Sequence, residues 1–390
     1  GDVILQKTPL VFDVSVWELF WWSFTGASLS LLKAEGEKDP RALIEAIDTD
    51  KVTVLHFVPS MLGVFLSSLE SEDYGRLSSI RHVFSSGEAL KGEHVEVFGQ
   101  TLHSHCGSQL TNLYGPTEAT VDVSYYDCVF GSGLSSVPIG KPIDNMQVYI
   151  LDRDGNLSGV GIMGELCIGG VGLARGYLHK EGLTAEKFIA HPFKAGSKLY
   201  RSGDMARWLA DGNIEFLGRS DDQVKIRGFR IELGEIESVL LREVHIKEAV
   251  VVAREREGDK YLTAYYVSAE AIDPSILQGL VEASLPDYMR PSAYVHLSAL
   301  PLTVNGKINR KALPEPQFAK DAAYVGPSDD TEEQLVSIWS EILKLDKELI
   351  SVNKSFFELG GHSLKAILLV NRINKVFQVN ITVKDIFINK

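Results

Sequence analysis

Cysteine, positive charge and long apolar runs are all scarce in this chain. Three cysteines in 390 residues, Cys106, Cys128 and Cys167, make no CxxC pair and are odd in number, which suits reduced thiols better than a disulfide framework. No grouping of cysteines and histidines at metal-ligand spacing accompanies them. Acidic residues outnumber basic ones 52 to 39, and the formal charge of −13 argues against nucleic acid or an anionic membrane as partner, since either wants a basic face. No apolar stretch reaches the ~18–20 residues of a bilayer span. No basic segment followed by an apolar core marks a signal peptide, so a cytoplasmic protein is expected. The opening GDVILQKTPLVFDVSVWELFWW already reads as a strand entering an amphipathic helix, and the chain is read as starting inside a domain.

What is present is ample apolar material, 45% of residues, enough for two or three cores at about 100–200 residues per domain. Over residues 1–218, β-rich runs such as Val52–Val58 and Ile80–Phe84 alternate with helical patterns such as Pro40–Thr49, as α/β layers require. Glycine and proline thicken between Gly131 and Gly176, predicting antiparallel hairpins there. Residues 219–313 hold the strand-like VKIRGFRI, a helix from Leu233 and two β-branched runs, a small α+β module. Residues 314–328 have no apolar period and read as a linker. Residues 329–390 carry Leu335, Ile338, Trp339 and Ile342, then Leu364, Ile367 and Leu368, at helical spacing, predicting a small helical bundle read as lacking its last helix. The fold class expected is α/β and α+β multidomain, ending in that bundle.

Several short strings concentrate chemistry. In FFELGGHSLKA (356–366), Ser363 opens an apolar-periodic helix; an isolated serine there is ordinarily an N-cap. NLYGPTEAT (112–120) is a hydroxyl-rich turn with one acid, able to cap a helix or to meet a phosphate and its metal. LYRSGDMARW (199–208) and GRSDDQVKIRGFRIELGEIE (218–237) read alone as a turn acid and a solvated hairpin entering a helix. NGKINRKAL (305–313) is an Asn-Gly turn followed by a lysine. GELCIGGVGLARGYLHKEGLTAEKF (164–188) and LPDYMRPSAYVHL (285–297) read as scaffold.

Taken in order, these strings resemble the core motifs of adenylation domains of the adenylate-forming superfamily, followed by the attachment motif of peptidyl carrier domains, the pairing found in non-ribosomal peptide synthetases. The resemblance implies an amino-acid-activating ligase that uses ATP and Mg²⁺, then loads the product on a 4′-phosphopantetheine arm attached at Ser363 by a phosphopantetheinyl transferase. A helix N-terminus there would favour the linking phosphodiester. By the same resemblance Tyr114 stacks on adenine, Asn112 meets the base edge, Thr117 meets phosphate, Glu118 holds Mg²⁺, Asp204 binds the ribose with Arg219 nearby, Asp221 is a hinge, and Lys307 is the catalytic cation. Asn309 stands where the family more often has aspartate.

FDVSVWELF (12–20) resembles the string that opens the family's amino-acid pocket. Carried across one position at a time, the pocket is Asp13, Val14, Trp17, His56, Phe84, Ser86, Leu113, Val121, Asp122 and Lys307, a set that resembles the serine-type signature. Asp13 suits an α-ammonium, and His56, Ser86 and Asp122 suit a hydroxyl; threonine is the rival, one methyl away. The family's phosphate loop is absent from the sequence, so the large subdomain is read as N-terminally truncated and the carrier as C-terminally incomplete. Neighbouring condensation or other synthetase domains are the expected partners. Two other readings stay open: an acyl-CoA ligase-like enzyme, and a non-catalytic carrier or scaffold segment.

Overall fold

The computed structural model describes residues 1–134, 136–221, 223–256, 259–302, 308–316, 324–356, 359, 361 and 363–388. Two compact units emerge, Gly1–Gly228 and Phe229–Lys390. The first opens as its sequence pattern predicts, with β1 (Val3–Gln6), the helix Ser15–Thr25 and β2 (Ser28–Leu31). The helix Pro40–Asp50 starts where Asp39 accepts the Arg41 amide and proline occupies the first turn. It leads to β3 (Val54–Phe57), and the chain continues through β4 (His82–Ser85), β5 (Gln109–Tyr114), β6 (Ser124–Asp127) and β7 (Lys141–Pro142). These build a seven-stranded sheet in the order β2-β1-β3-β4-β5-β6-β7. The β1–β2, β1–β3, β3–β4 and β4–β5 pairs are parallel, and β6 and β7 close the edge antiparallel.

Strand alternation decides what each face carries. Leu55, Phe57 and Val83 enter a core with Leu43, Ile47, Phe65 and Phe98 from the covering helices. The intervening residues look the other way, and register sets His56 beside Phe84.

The glycine-rich stretch folds as the hairpins its turn residues predict: β8 (Met146–Leu151) and β9 (Gly164–Gly170) pair antiparallel. With β10 (Phe188–Ala190), the long β11 (Lys198–Trp208) and β12 (Ile214–Arg219) they form a second, five-stranded sheet over a core of Ile150, Leu166, Ile168, Tyr200 and Ile214. The run VKIRGFRI is not one strand. It splits into β13 (Val224–Ile226) and β14 (Phe229–Ile231), because Arg227 and Gly228 take φ of 55° and 78°, and the division of the chain into units falls after Gly228.

In the second unit the helix Leu233–Leu240 packs on β15 (Glu248–Arg256), which pairs antiparallel with β16 (Asp259–Val267); β17 (Ala293–Leu297) runs parallel to β16. The C-terminal part holds the helices Asp330–Leu343, Ser363–Phe377 and Val383–Ile388 around Val336, Leu343, Phe356, Leu369 and Ile373. The tail thus adds a short third helix to the two that periodicity marks. Asp329 caps the first by accepting the Glu332 amide. Among the described residues no helix is long and apolar enough to cross a membrane.

Candidate functional site

The parallel strands β1, β3, β4 and β5 end at one edge of the large sheet, the position at which open α/β sheets hold ligands. Glu18, fully buried, fastens the helix Ser15–Thr25 to the end of β1: it accepts Thr8 N at 2.9 Å, Thr8 Oγ1 at 2.7 Å and Lys7 N at 3.2 Å. That anchor fixes the neighbouring Asp13 and Trp17. Trp17 meets Phe84 and His56 edge-on, with centroids 5.7 and 6.0 Å apart. His56 and Ser86 are both buried and share a 2.9 Å hydrogen bond. Burial, helped by the Lys7 ammonium, pushes His56 well below the ordinary imidazole range, so the ring is neutral.

Two polar atoms here are not used by the described fold. Among the described residues Asp13 Oδ2 and Trp17 Nε1 are buried without a hydrogen-bond partner. Such atoms are costly unless something else meets them. Asp122 is half-buried; desolvation, then the neighbouring Asp13 charge, raise its carboxyl to about 7 against an opposing pull from Lys225.

Asp122 is held by a strained turn. Thr120 and Val121, both β-branched, have φ of 60° and 72°, a region that costs on the order of 1–3 kcal/mol per residue. Close packing enforces it: a Cβ on Gly115 would fall 2.2 Å from the Val121 carbonyl oxygen, so only glycine fits. Thr120 Oγ1 donates to the Gly172 carbonyl at 2.5 Å.

The expected nucleotide positions form a second, adjoining set. Thr117 is exposed at the start of the 3-10 turn Thr117–Ala119, and Glu118 beside it is buried. Register places Asp204 of β11 opposite Arg219 of β12. Asp204 Oδ1 accepts Arg219 Nη1 at 2.7 Å and its Oδ2 accepts the Tyr114 hydroxyl at 2.5 Å. Arg219 also forks onto both oxygens of Asp221, each at 2.6 Å. Burial opposes ionisation of Asp221, yet that fork more than offsets it and holds the carboxyl below the usual range. Tyr114 is driven well above the phenol range by burial and the Asp204 charge.

Asn112 is buried on the face of β5 opposite Leu113, its Nδ2 donating to the Pro138 carbonyl at 2.8 Å while Oδ1 has no hydrogen-bond partner among the described residues. Val14 and Leu113 are half-buried. Lys307 lies outside the described residues. Asp221 lies before the Gly228–Phe229 division rather than at it. Ser363 begins the helix Ser363–Phe377, and Gly361 before it is tightly packed, a Cβ there falling 2.4 Å from the Phe356 ring.

Glu118 is a single carboxylate, and no group of three metal-ligating side chains occurs among the described residues. That fits a Mg²⁺ arriving on nucleotide phosphates, which needs only one or two protein carboxylates.

Two residues beside these positions were not singled out by sequence. Lys7 sits with Nζ 4.4 Å from the Phe57 centroid and bears on His56 through its charge. Tyr177, within a string read as scaffold, donates its hydroxyl to Glu118 Oε1 at 2.7 Å. The aromatic directly after Gly176 was the available signal, but no sequence rule links it to an acid so far upstream.

Comparison with known proteins matches residues 1–178 to the AMP-binding enzyme family, residues 235–307 to the AMP-binding enzyme C-terminal domain and residues 333–389 to the phosphopantetheine attachment site. A mycosubtilin synthase polypeptide of Bacillus subtilis is 48% identical over 377 residues, covering 95% of this chain and 14% of that protein. Tyrocidine synthase 1 of Brevibacillus parabrevis is 44% identical over 390 residues, covering 99% of this chain and 34% of that protein. The chain therefore spans a minor part of these relatives. Among solved structures, holo-PA1221, an NRPS protein containing adenylation and PCP domains bound to a vinylsulfonamide inhibitor, aligns with TM-score 0.79 and 29% identity, covering 96% of this chain and 61% of that one. The chain belongs to the non-ribosomal peptide synthetases, carrying an AMP-binding domain, that domain's C-terminal partner and a phosphopantetheine attachment site in this order.

Proposed function

We propose that the polypeptide carrying this chain activates L-serine. In the first step the serine carboxylate attacks the α-phosphorus of ATP, forming seryl-adenylate and releasing pyrophosphate. For the second step Ser363 would carry the phosphopantetheine arm, whose thiol would supply the acceptor for the seryl group as a thioester, with AMP released. Asp13 takes the α-ammonium; His56, Ser86 and Asp122 receive the side-chain hydroxyl; Trp17 and Phe84 limit its size. Asp204 meets the ribose, Thr117 the phosphates, Tyr114 and Asn112 the base. Glu118 would hold a nucleotide-borne Mg²⁺, which neutralises phosphate charge when bound. Lys307 stabilises charge developing during the first step, and rotation near Asp221 exchanges the two steps.

Polar groups carry the reading. Among the described residues Asp13 Oδ2 is buried without a hydrogen-bond partner, and His56 and Ser86 form a buried pair, with Trp17 edge-on to both His56 and Phe84. A purely apolar substrate would leave these polar groups unsatisfied, and a larger one would meet Trp17 and Phe84.

The test is amino-acid-dependent exchange of labelled pyrophosphate into ATP by that polypeptide. Serine is expected to give the highest rate, with threonine about ten-fold lower or more for its extra methyl. Preference for any other amino acid overturns the assignment. Incorporation of labelled serine by a Ser363→Ala variant would overturn the carrier step.

A further inference from the structure

The turn bearing Thr117 and Glu118 is fastened to the loop after β9 by three long-range hydrogen bonds. Ala174 N donates to the Glu118 carbonyl at 2.8 Å, Thr120 Oγ1 donates to the Gly172 carbonyl, and the Tyr177 hydroxyl donates to Glu118 Oε1 at 2.7 Å. The first two hold backbone. The third holds the carboxylate itself.

The Tyr177 ring is fixed from several sides. Its amide donates to Thr184 Oγ1 at 2.9 Å, and its ring stands edge-on to Phe188 with centroids 5.6 Å apart. Phe188 in turn packs on the buried Tyr200 at 5.0 Å. Gly176 has no space for a side chain, a Cβ there falling 2.4 Å from Thr184 Cγ2, so the approach of the chain to Tyr177 is set as well. A further hydrogen bond joins the Tyr177 hydroxyl to that of Tyr200.

A carboxylate that is to meet a hard cation must be oriented, because a freely rotating one loses affinity to side-chain entropy and to wasted geometry. We infer that Tyr177 is the positioning residue of Glu118: its hydroxyl, bonded to Oε1, fixes the rotation of the carboxylate that meets the divalent cation carried on the nucleotide phosphates, and Tyr200 in turn holds Tyr177. The inference rests on the reading of Glu118 as the metal-facing carboxylate.

The experiment compares Tyr177→Phe and Glu118→Gln in the full polypeptide. Mn²⁺ binding is read from the loss of the free-ion electron paramagnetic resonance signal in the presence of a non-hydrolysable ATP analogue. The Mg²⁺ dependence of pyrophosphate exchange and the Michaelis constant for the amino acid are measured beside it. Tyr177→Phe is expected to weaken Mn²⁺ binding about ten-fold, the usual size of an outer-shell effect, and to raise the Mg²⁺ requirement equally while the amino-acid constant stays put. If Glu118→Gln weakens the metal and Tyr177→Phe does not, this inference fails and the reading of Glu118 stands. If Glu118→Gln leaves the metal unaffected, that reading fails and takes the inference with it. An equal loss of metal and amino-acid binding in Tyr177→Phe would mark a merely structural role. Should that variant not fold, Tyr200→Phe, which removes the hydroxyl behind it, carries the same comparison.

Discussion

Replacing Asp122 by asparagine asks whether the two carboxylates of the pocket truly oppose each other. Desolvation and the Asp13 charge lift the Asp122 carboxyl from 3.8 to about 7. The folded chain therefore keeps a proton that the unfolded chain has released across that interval. Where the folded state binds more protons, stability falls as pH rises. The loss begins above pH ~4, accumulates to pH ~7 and is constant beyond. Taken whole it would correspond to ~4 kcal/mol. Asp122 is half-buried, however, and solvent screening reduces the figure to ~2 kcal/mol. Asparagine keeps the shape without the charge. Asp122→Asn should thus match the unmodified chain near pH 4 and exceed it by ~2 kcal/mol at pH 8. Urea denaturation at pH 4, 5.5, 7 and 8, followed by tryptophan fluorescence, reads this directly. A difference that is the same at every pH would refute the raised carboxyl, and a variant less stable at pH 8 would reverse the sign of the effect.

Two further substitutions probe the frame of the site. Gly115→Ala drives a methyl to 2.2 Å from a backbone oxygen and 2.6 Å from the Asp122 Cα, neither able to move as a side-chain tip can; a loss of ~2–3 kcal/mol by denaturant melt is expected, together with loss of pyrophosphate exchange. Retained stability would show that the turn is softer than its packing implies. Asp204→Asn weakens an ion pair whose side chains are only 5% and 12% exposed, yet Arg219 keeps its fork to Asp221, so the cost should be ~3 kcal/mol, the low end for a broken buried pair. The same variant should raise the Michaelis constant for ATP more than that for the amino acid, and equal effects on both would count against ribose binding.

How much of this was legible beforehand follows from where the information sits. The residues proposed to touch ligand chemistry fall in consecutive strings, so Asp13, Glu118, Asp204 and Ser363 were nominated one motif at a time. Strands and hairpins announced themselves through alternation and glycine. The division of VKIRGFRI into two strands did not, because an arginine at φ 55° precedes the turn glycine and masks the break. Thr120 and Val121 were invisible for a stronger reason: β-branched residues are the least expected in the left-handed region, and contacts such as that of Gly115 with the Val121 carbonyl override that preference. Tyr177 and Glu118 lie far apart in sequence and meet only when β9 and the loop after it fold back.

That override also says something about how the site works. Glu118 and Asp122 sit at opposite ends of one short strained segment, so on the proposed reading the nucleotide end and the amino-acid end share a single piece of backbone. Strain of on the order of 1–3 kcal/mol per residue persists only when surrounding contacts over-determine it. Here they are the glycine contact below, and above it the bonds from Thr120 to Gly172 and from Ala174 to Glu118. Relaxing the segment at either end would move the other. Substitutions in the loop 172–177, which touch neither proposed substrate, should therefore alter the constants for ATP and amino acid together, whereas the loss of the Tyr177 hydroxyl alone, which spares the backbone bonds, should fall on the metal.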